Sequence, residues 1–267
     1  AGVAPVVEKL PEPPLDEPAQ LALFGEIAPG SAPGGLELAA LEPVPTPPLH
    51  DVRRLSYSAL SLFERCPYRY FAERVLGLRP AAPTRNGDGD GGLAGNEIGD
   101  AVHRLLEEVP LAQPVPPERA GLDESVRAWY PTVSDEELER IAVLVGAYCE
   151  SELARRVAGL DGARPERPFA FEHDGVLLHG RLDVLWRDGP SALVLDYKSN
   201  ALEGADPREV VEAEYRIQRL VYALACLRDG AEEVEVVYHF LERPGEPVSG
   251  AFSASDAPGP EIELSEA

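Results

Sequence analysis

Residues 180–198 read GRLDVLWRDGPSALVLDYK, and this stretch decides the fold. Apolar and polar residues alternate on both sides of the segment Asp-Gly-Pro-Ser at 188–191, which is typical of two antiparallel strands joined by a turn. Counting back from the turn, three pairs share one face: Trp186 with Leu193, Val184 with Leu195, and Leu182 with Tyr197. One face of the predicted hairpin is therefore entirely apolar, as a surface that packs on a core must be.

The opposite face of the hairpin carries charge. In the same register Asp183 lies directly opposite Asp196, and Lys198 follows one step along. Two carboxylates that face each other across a sheet repel, and a bound divalent cation would turn that repulsion into a binding site. Magnesium takes one or two carboxylates together with waters and phosphate oxygens, so the pattern predicts a Mg²⁺ or Mn²⁺ site here. A solvated sheet face with scattered charges is the alternative.

Lysine usage favours the site over the solvated face. The chain has two lysines, Lys9 and Lys198, and uses arginine elsewhere. A single lysine in the folded part indicates chemistry that the rigid, always-charged guanidinium of arginine cannot replace. We therefore expect Asp183, Asp196 and Lys198 to be catalytic, with Lys198 contacting a phosphate or orienting an attacking water.

Helices are expected before the hairpin, and a helix and a strand after it. Helical periodicity and capping residues predict helices at about 58–66, 67–77, 97–108 and 118–129, and one that starts at Ser134. A period of two predicts strands at 168–173, 176–187 and 192–198, followed by a helix at 207–228 and a strand at 234–242. This order predicts an α/β domain with a central mixed β-sheet that contains the antiparallel hairpin and is flanked by helices.

Residues 1–50 differ in composition from the rest of the chain. They are rich in Pro, Ala, Gly and Glu without a sustained period, which predicts a mostly disordered acidic linker before a folded domain at 51–267. One apolar island, Gln20-Leu21-Ala22-Leu23-Phe24, interrupts this linker. Methionine is absent even at position 1, so we expect the chain to be a piece of a longer or processed protein.

The net charge of −23 argues against a nucleic-acid partner, because DNA binding needs basic groups against phosphates. The charge is unevenly spread, however: the first 49 residues hold seven acids and one lysine, whereas residues 51–79 hold six arginines and three acids. Global charge therefore does not describe the surface beside a site. No apolar run has the length of a membrane span, and three widely spaced cysteines predict a reducing, cytoplasmic setting.

Asp183 and then Asp196-Tyr197-Lys198 resemble the Asp…(Asp/Glu)-x-Lys core of the PD-(D/E)XK nucleases. The resemblance is closest to the RecB-like branch found at the C-termini of AddA-type helicase–nucleases, and it covers about residues 55–242. Further segments match motifs of that branch in order: 55–71 its opening helical motif, 99–103 its Gly-x-x-x-His motif, 180–183 its Gly-x-(Ile/Leu)-Asp strand, and 218–222 its Gln-x-x-x-Tyr motif.

The resemblance implies a restriction-endonuclease-like fold and a magnesium-dependent deoxyribonuclease, an exonuclease rather than an endonuclease. It implies that His103 and the carbonyl of Tyr197 join Asp183 and Asp196 around the metal. Residues implied to support the site or position DNA are Glu172, Gln218, Tyr222 and Arg69, the last together with its neighbouring arginines. The alternatives are ordinary ones: a partly buried helical histidine, and helix-surface or core roles for the glutamine and tyrosine.

The resemblance also implies partners. It predicts single-stranded DNA as substrate and a helicase motor on the same parent chain, with a role in DNA end processing and recombinational repair. The island at 20–24 resembles the short peptide by which bacterial replication and repair proteins bind the sliding clamp, with Gln20, Leu23 and Phe24 as its contacts.

Two alternatives stay open: a catalytically silent nuclease fold that serves as a DNA-binding scaffold, and a stand-alone exonuclease. Relatives of the AddB type use a cysteine at the place of Cys66 to bind an iron–sulfur cluster together with three C-terminal cysteines. No cysteine follows Cys226 in this chain, so we expect no cluster, and we expect Cys66 to be a small buried hydrophobic residue.

Overall fold

A computed structural model of the chain describes residues 53–78 and 92–266. All of these residues belong to the unit that spans residues 50–267. The predicted linker, with the peptide at Gln20, Leu23 and Phe24, lies outside the described residues. No helix in the described part is long and apolar enough to cross a membrane.

The core of the molecule is a mixed six-stranded sheet, as predicted. Its strands are β1 (Arg54–Ser56), β2 (Arg164–His173), β3 (Val176–Asp188), β4 (Ser191–Lys198), β5 (Glu233–Phe240) and β6 (Val248–Ser253). The order is β1-β3-β4-β5-β6, with β2 paired to β3 as well. The pairs β1–β3 and β4–β5 are parallel, and the other pairs are antiparallel. Because β4 lies at the centre, six of its eight residues are buried.

Helices cover both faces of the sheet. They are α1 (Tyr57–Arg65), α2 (Pro67–Tyr70, continued by a π-helical turn at Phe71–Val75), α3 (Gly95–Glu108), α4 (Arg119–Trp129), α5 (Asp135–Cys149), α6 (Glu152–Ala158), α7 (Pro207–Glu214), α8 (Arg216–Arg228) and α9 (Pro258–Glu266). One hydrophobic core joins α3–α6 to the face that carries Val184, Leu193 and Leu195. The other joins α8 and α9 to the face that carries Val194 and Val236. The result is a helix–sheet–helix sandwich.

The predicted register of the hairpin is confirmed close to the turn. Arg187 pairs with Ala192, Trp186 with Leu193, and Val184 with Leu195. The strands reach further than predicted, since Asp188 pairs with Ser191 and leaves a two-residue turn. Gly189 adopts φ +55° there, a conformation that glycine accepts without strain.

The predicted facing of Leu182 and Tyr197 is wrong. The paired residues of β3 and β4 end at Val184 and Leu195. Beyond that point the strands separate, and Leu182 packs in the core under α8 whereas Tyr197 packs in the core under α3 and α5.

Other boundaries differ for local reasons. The capping box predicted at Ser134 is present, since its hydroxyl accepts from the amide of Glu137 and its own amide donates 2.8 Å to the Glu137 carboxylate. The helix predicted at 207–228 is broken at Tyr215, whose φ and ψ of −121° and 8° are not helical and whose ring stacks on Tyr238. Four short elements were not predicted: β1, α6, β6 and α9.

Candidate active site

The candidate site occupies a gap along one edge of β3. On that edge β1 pairs with residues 177–179 and β4 pairs with residues 184–188, while β2 covers the opposite edge. The stretch from Gly180 to Asp183 is therefore left without a neighbouring strand between β1 and β4. A cleft of about 330 Å³ opens there. Its lining includes Ser56–Ser58, Gly180, Arg181 and the side chains predicted to form the site: His103, Asp183, Asp196, Lys198, Gln218 and Tyr222.

Asp196 is the most buried acid of the site, with 2% of its surface exposed. It points toward α8, where its Oδ2 accepts hydrogen bonds from the hydroxyl of Tyr222 at 3.0 Å and from Nε2 of Gln218 at 3.2 Å. Burial raises the pKa of Asp196, and the negative charge of Asp183 adds to this effect while Lys198 opposes it. The carboxylate is thus held in place by α8 but is poorly compensated.

Lys198 supplies the compensating charge. Its Nζ lies 2.5 Å from Oδ1 of Asp196 and donates a 2.9 Å hydrogen bond to Oε1 of Gln218. The ammonium also lies 4.1 Å from the centre of the Tyr215 ring. Only 12% of the lysine side chain is exposed, so its position is fixed by these three partners.

Gln218 and Tyr222 are buried side chains, with 5% and 4% of their surfaces exposed. They are joined to each other by a 2.8 Å hydrogen bond and both bond to Asp196. Their contacts therefore orient the acid–lysine pair. The expected core role of Tyr222 is also present, because its ring packs against Phe169 at 5.9 Å.

His103 and Asp183 form the second half of the site. Nδ1 of His103 lies 3.4 Å from Oδ2 of Asp183, and Nε2 lies 3.1 Å from the carbonyl oxygen of Tyr197. The amide of Tyr197 donates 2.8 Å to the same Asp183 oxygen, so this side chain replaces the hydrogen bond between strands that ends at Val184. Burial lowers the pKa of His103, but Asp183 and Asp196 outweigh it and raise that pKa to about 9.

Two glycines permit these close approaches. A Cβ on Gly99 would lie 2.9 Å from Oγ of Ser199, so glycine allows α3 to approach the end of β4 one helical turn before His103. A Cβ on Gly180 would lie 2.9 Å from two atoms of the Phe169 ring. The spacing Gly-x-x-x-His and the glycine before Asp183 thus have a steric cause in this structure.

A divalent cation fits the donor groups at the cleft. Within residues 53–78 and 92–266, no three His, Cys, Asp or Glu side chains form a ready-made cage for an ion. Mg²⁺ does not need one, because it keeps several waters and takes one or two carboxylates plus phosphate oxygens. Oδ1 of Asp196 is buried and accepts no well-aligned hydrogen bond despite its ion pair with Lys198, which leaves it available as a ligand.

Glu166 is a site residue that the sequence pattern did not reveal. Pro165 pairs with Val184 and Arg167 with Leu182, so Glu166 lies across β2–β3 from Asp183. Its φ of +49° is strained for a non-glycine residue, and its carboxylate pairs with Arg181 at 3.2 Å. Burial raises the pKa of Glu166, and Asp183 and Glu107 add to the shift. The predicted strand began at 168, beyond the prolines, and so excluded it.

Three other predicted residues lie away from the cleft lining. Glu172 is exposed and lines a different cavity with His173 and Arg228. Arg69 is exposed on α2 and pairs with Glu73 at 2.5 Å. Cys66 is half-buried rather than buried, and its Sγ accepts from the amide of Arg69 at 3.4 Å, so the thiol caps α2.

The sandwich fold and the aspartates and lysine at its central strands define a protein of the nuclease-fold class. The chain belongs to the PD-(D/E)XK nuclease superfamily, whose profile matches residues 54–264. This confirms the predicted family and the α/β fold.

Curated relatives with detectable similarity carry both a helicase and a nuclease in their descriptions. One, an ATP-dependent helicase/nuclease protein from Bacillus thuringiensis (strain Al Hakam), is 26% identical over 157 residues, which cover 50% of this chain and 12% of that protein. The protein of the same description from Bacillus anthracis is 25% identical over 157 residues, with the same two coverages. The match therefore spans about an eighth of the length of these relatives.

A solved structure is also similar. A "Putative exonuclease" from Eubacterium rectale is 11% identical, with a TM-score of 0.49 over 80% of this chain and 79% of that chain.

Proposed function

We propose that this domain hydrolyses phosphodiester bonds of DNA with the help of Mg²⁺ or Mn²⁺. The observation that carries the proposal is the convergence of Asp183, His103, Asp196 and Lys198 on one cleft, with the lysine ion-paired to the buried acid. A buried carboxylate with an unbonded oxygen beside a second carboxylate is costly for folding alone, and such costs concentrate at functional sites.

Each residue has a role that follows from its contacts. Asp183, Asp196, the carbonyl of Tyr197 and the neutral imidazole of His103 would hold the cation, which would acidify a bound water and neutralise charge that builds on the phosphorus oxygens. Lys198 lies where its ammonium can move from Asp196 toward a phosphate oxygen or the attacking water. Gln218 and Tyr222 keep Asp196 oriented.

Glu166 and Arg181 form the outer wall of the site. The Arg181 side chain is 66% exposed and lines the cleft, while Glu166 holds its guanidinium from β2. An exposed guanidinium beside the metal ligands suits a backbone phosphate of the substrate. The chain therefore offers a basic group at the cleft in spite of its net charge of −23.

The parent protein and substrate follow from the relatives. We infer that the domain is the nuclease part of a helicase–nuclease that acts in DNA end processing and recombinational repair, since the matched relatives are described as helicase/nuclease proteins. A motor would deliver single strands, so single-stranded DNA and exonuclease action are the expected substrate and mode. The three cysteines are free, which suits the reducing cytoplasm expected from their spacing.

The test is digestion of end-labelled single-stranded DNA by the full chain in Mg²⁺, Mn²⁺ or EDTA. Asp183→Asn keeps the shape of the side chain but removes a ligand charge, and we expect a loss of about 100-fold or more. Glu172→Gln is the matched control, because it removes a carboxylate from β2 outside the cleft, and it should cut like the wild type. Circular single strands, which lack ends, separate exonuclease from endonuclease action.

The possible results lead to different conclusions. Metal-dependent cutting that is lost in Asp183→Asn supports the proposal. Metal binding without cutting, in a chain that cuts once a helicase feeds it DNA, supports it as well and adds the motor as a requirement. A wild-type chain that neither binds metal nor cuts would show that the domain is a silent nuclease fold used as a scaffold.

A further inference from the structure

A second cavity lies beside the catalytic cleft and shares His103 and Lys198 with it. Its volume of about 490 Å³ falls within the range of ordinary ligand sites. It is built by the first turns of α3, the end of β4 with the loop that follows, Arg140 of α5, and Tyr215. Nothing in the proposed hydrolysis requires this space.

The lining of this cavity differs in charge from the rest of the molecule. It contains two permanent cations, Arg140 and Lys198, and no carboxylate. Four other cavities in the described part, the catalytic cleft among them, each include at least two acidic residues. In a chain with a net charge of −23, a space next to the active site without a single acid indicates an anionic ligand.

Arg140 is available to bind that ligand. Its side chain is exposed and makes no ion pair with another described residue, whereas the neighbouring Glu139 pairs with Arg119. Asn96, Ser199 and Asn200 add neutral hydrogen-bonding groups to the same lining. A guanidinium with hydroxyl and amide groups around it is the combination that contacts phosphates and sugars in nucleic-acid complexes.

We propose that this cavity binds the nucleotide next to the scissile phosphate, and that Arg140 contacts its phosphate. The DNA strand then runs from the cleft past Lys198, which lines both spaces, into the acid-free cavity. This inference rests on the proposed nuclease function and adds the direction in which the substrate leaves the metal site.

The test measures binding of a fluorescent oligothymidine to the full chain by anisotropy in Ca²⁺, over a series of salt concentrations. Arg140→Ala should weaken binding about tenfold, the worth of one charge-assisted hydrogen bond. It should also lower the slope of log affinity against log salt by about 0.7, the value for one phosphate contact on a single strand. Arg140→Lys should restore the slope because it keeps the charge. Ala201→Glu, which places an acid in the lining, should weaken binding as well.

Two controls make the result specific. Arg155→Ala removes another exposed arginine from α6, whose neighbour Arg156 pairs with Glu235 near the start of β5, at the opposite end of the sheet from the site. Oligonucleotides with one neutral methylphosphonate linkage locate the contact, since a single linkage position should weaken binding to the wild type but leave binding to Arg140→Ala unchanged.

Failure of this inference is distinguishable from failure of the proposed function. If Mg²⁺-dependent cutting persists while Arg140→Ala binds DNA with the wild-type affinity and slope, the cavity is not a nucleotide site and the nuclease proposal stands. If Arg140 controls binding but no metal supports cutting, the cavity assignment holds for a DNA-binding scaffold. A wild type that binds no oligonucleotide overturns the inference.

Discussion

Removal of the Lys198 ammonium should destabilise the protein far more than removal of both charges of its ion pair. In Lys198→Met the carboxylate of Asp196, 3% exposed, keeps its bonds to Gln218 and Tyr222 but loses the cation 2.5 Å away. A buried charge left without its partner costs about 3–5 kcal/mol, so we expect a loss near ~3 kcal/mol in EDTA. Protonation of Asp196, whose pKa burial already raises, limits the loss to the lower end of that range.

The reverse change should cost less. In Asp196→Asn the ammonium keeps its hydrogen bond to Gln218 and its place 4.1 Å from the Tyr215 ring, so a loss of about 1–2 kcal/mol is expected. The double variant removes both charges, and it should resemble Asp196→Asn. The coupling energy between Lys198 and Asp196 is then about 2–3 kcal/mol.

Urea denaturation measures this cycle, with fluorescence of Trp129 and Trp186 as the signal, because both side chains pack against the core under α3–α6. Millimolar Mg²⁺ should return more stability to Lys198→Met than to the wild type, since the cation can replace the ammonium beside Asp196. Additive losses, with a coupling below about 0.5 kcal/mol, would refute the ion pair as the element that compensates the buried acid.

Three further outcomes are expected. Tyr222→Phe removes the O–H that donates to Asp196, and it should lower metal affinity about 10–100-fold in a titration of activity while the melting temperature changes little. Gly180→Ala places a Cβ 2.9 Å from the Phe169 ring and should cost about 1–3 kcal/mol in urea, whereas Gly245→Ala, with open space around it, should cost nothing measurable. His239 is fully buried, and burial lowers its pKa to about 4, below the unfolded value of about 6.5. The neutral form therefore stabilises the fold above the unfolded pKa, and about 2 kcal/mol is lost from about pH 7 to about pH 5. The wild type should lose that much more than His239→Gln over this range, and equal losses would contradict the burial of a neutral imidazole.

Prediction from the sequence succeeded for those features that local pattern determines. The register at Val184 and Leu195 follows from alternation on either side of one turn, and the capping box at Ser134 follows from two residues of one helix. Features that depend on distant segments were beyond it. Asp196 bonds to Tyr222 because α8 packs on the sheet, and no periodicity shows which turn of the helix meets which strand residue.

The residues missed have similar causes. Glu166 lies between prolines in a stretch without alternation, although it sits across from Asp183 in the folded sheet. The three-residue strand β1 is too short for a period to appear. Arg140 looks like any surface arginine of a helix until the end of β4 is placed beside it.

The gap along β3 also governs when during folding the site can form. Arg54 pairs with Leu177, so one wall of the cleft comes from a segment separated from β3 by helices α1–α6 and strand β2. Contacts between such distant parts of the chain close slowly, because the entropy of a long loop must be lost before the pairing stabilises it. We expect the hairpin with Asp183 and Asp196 to gain protection from hydrogen exchange earlier than the amides of 54–58. A chain still folding thus carries its acids without the cleft, and it cannot grip a strand of DNA until β1 has joined β3.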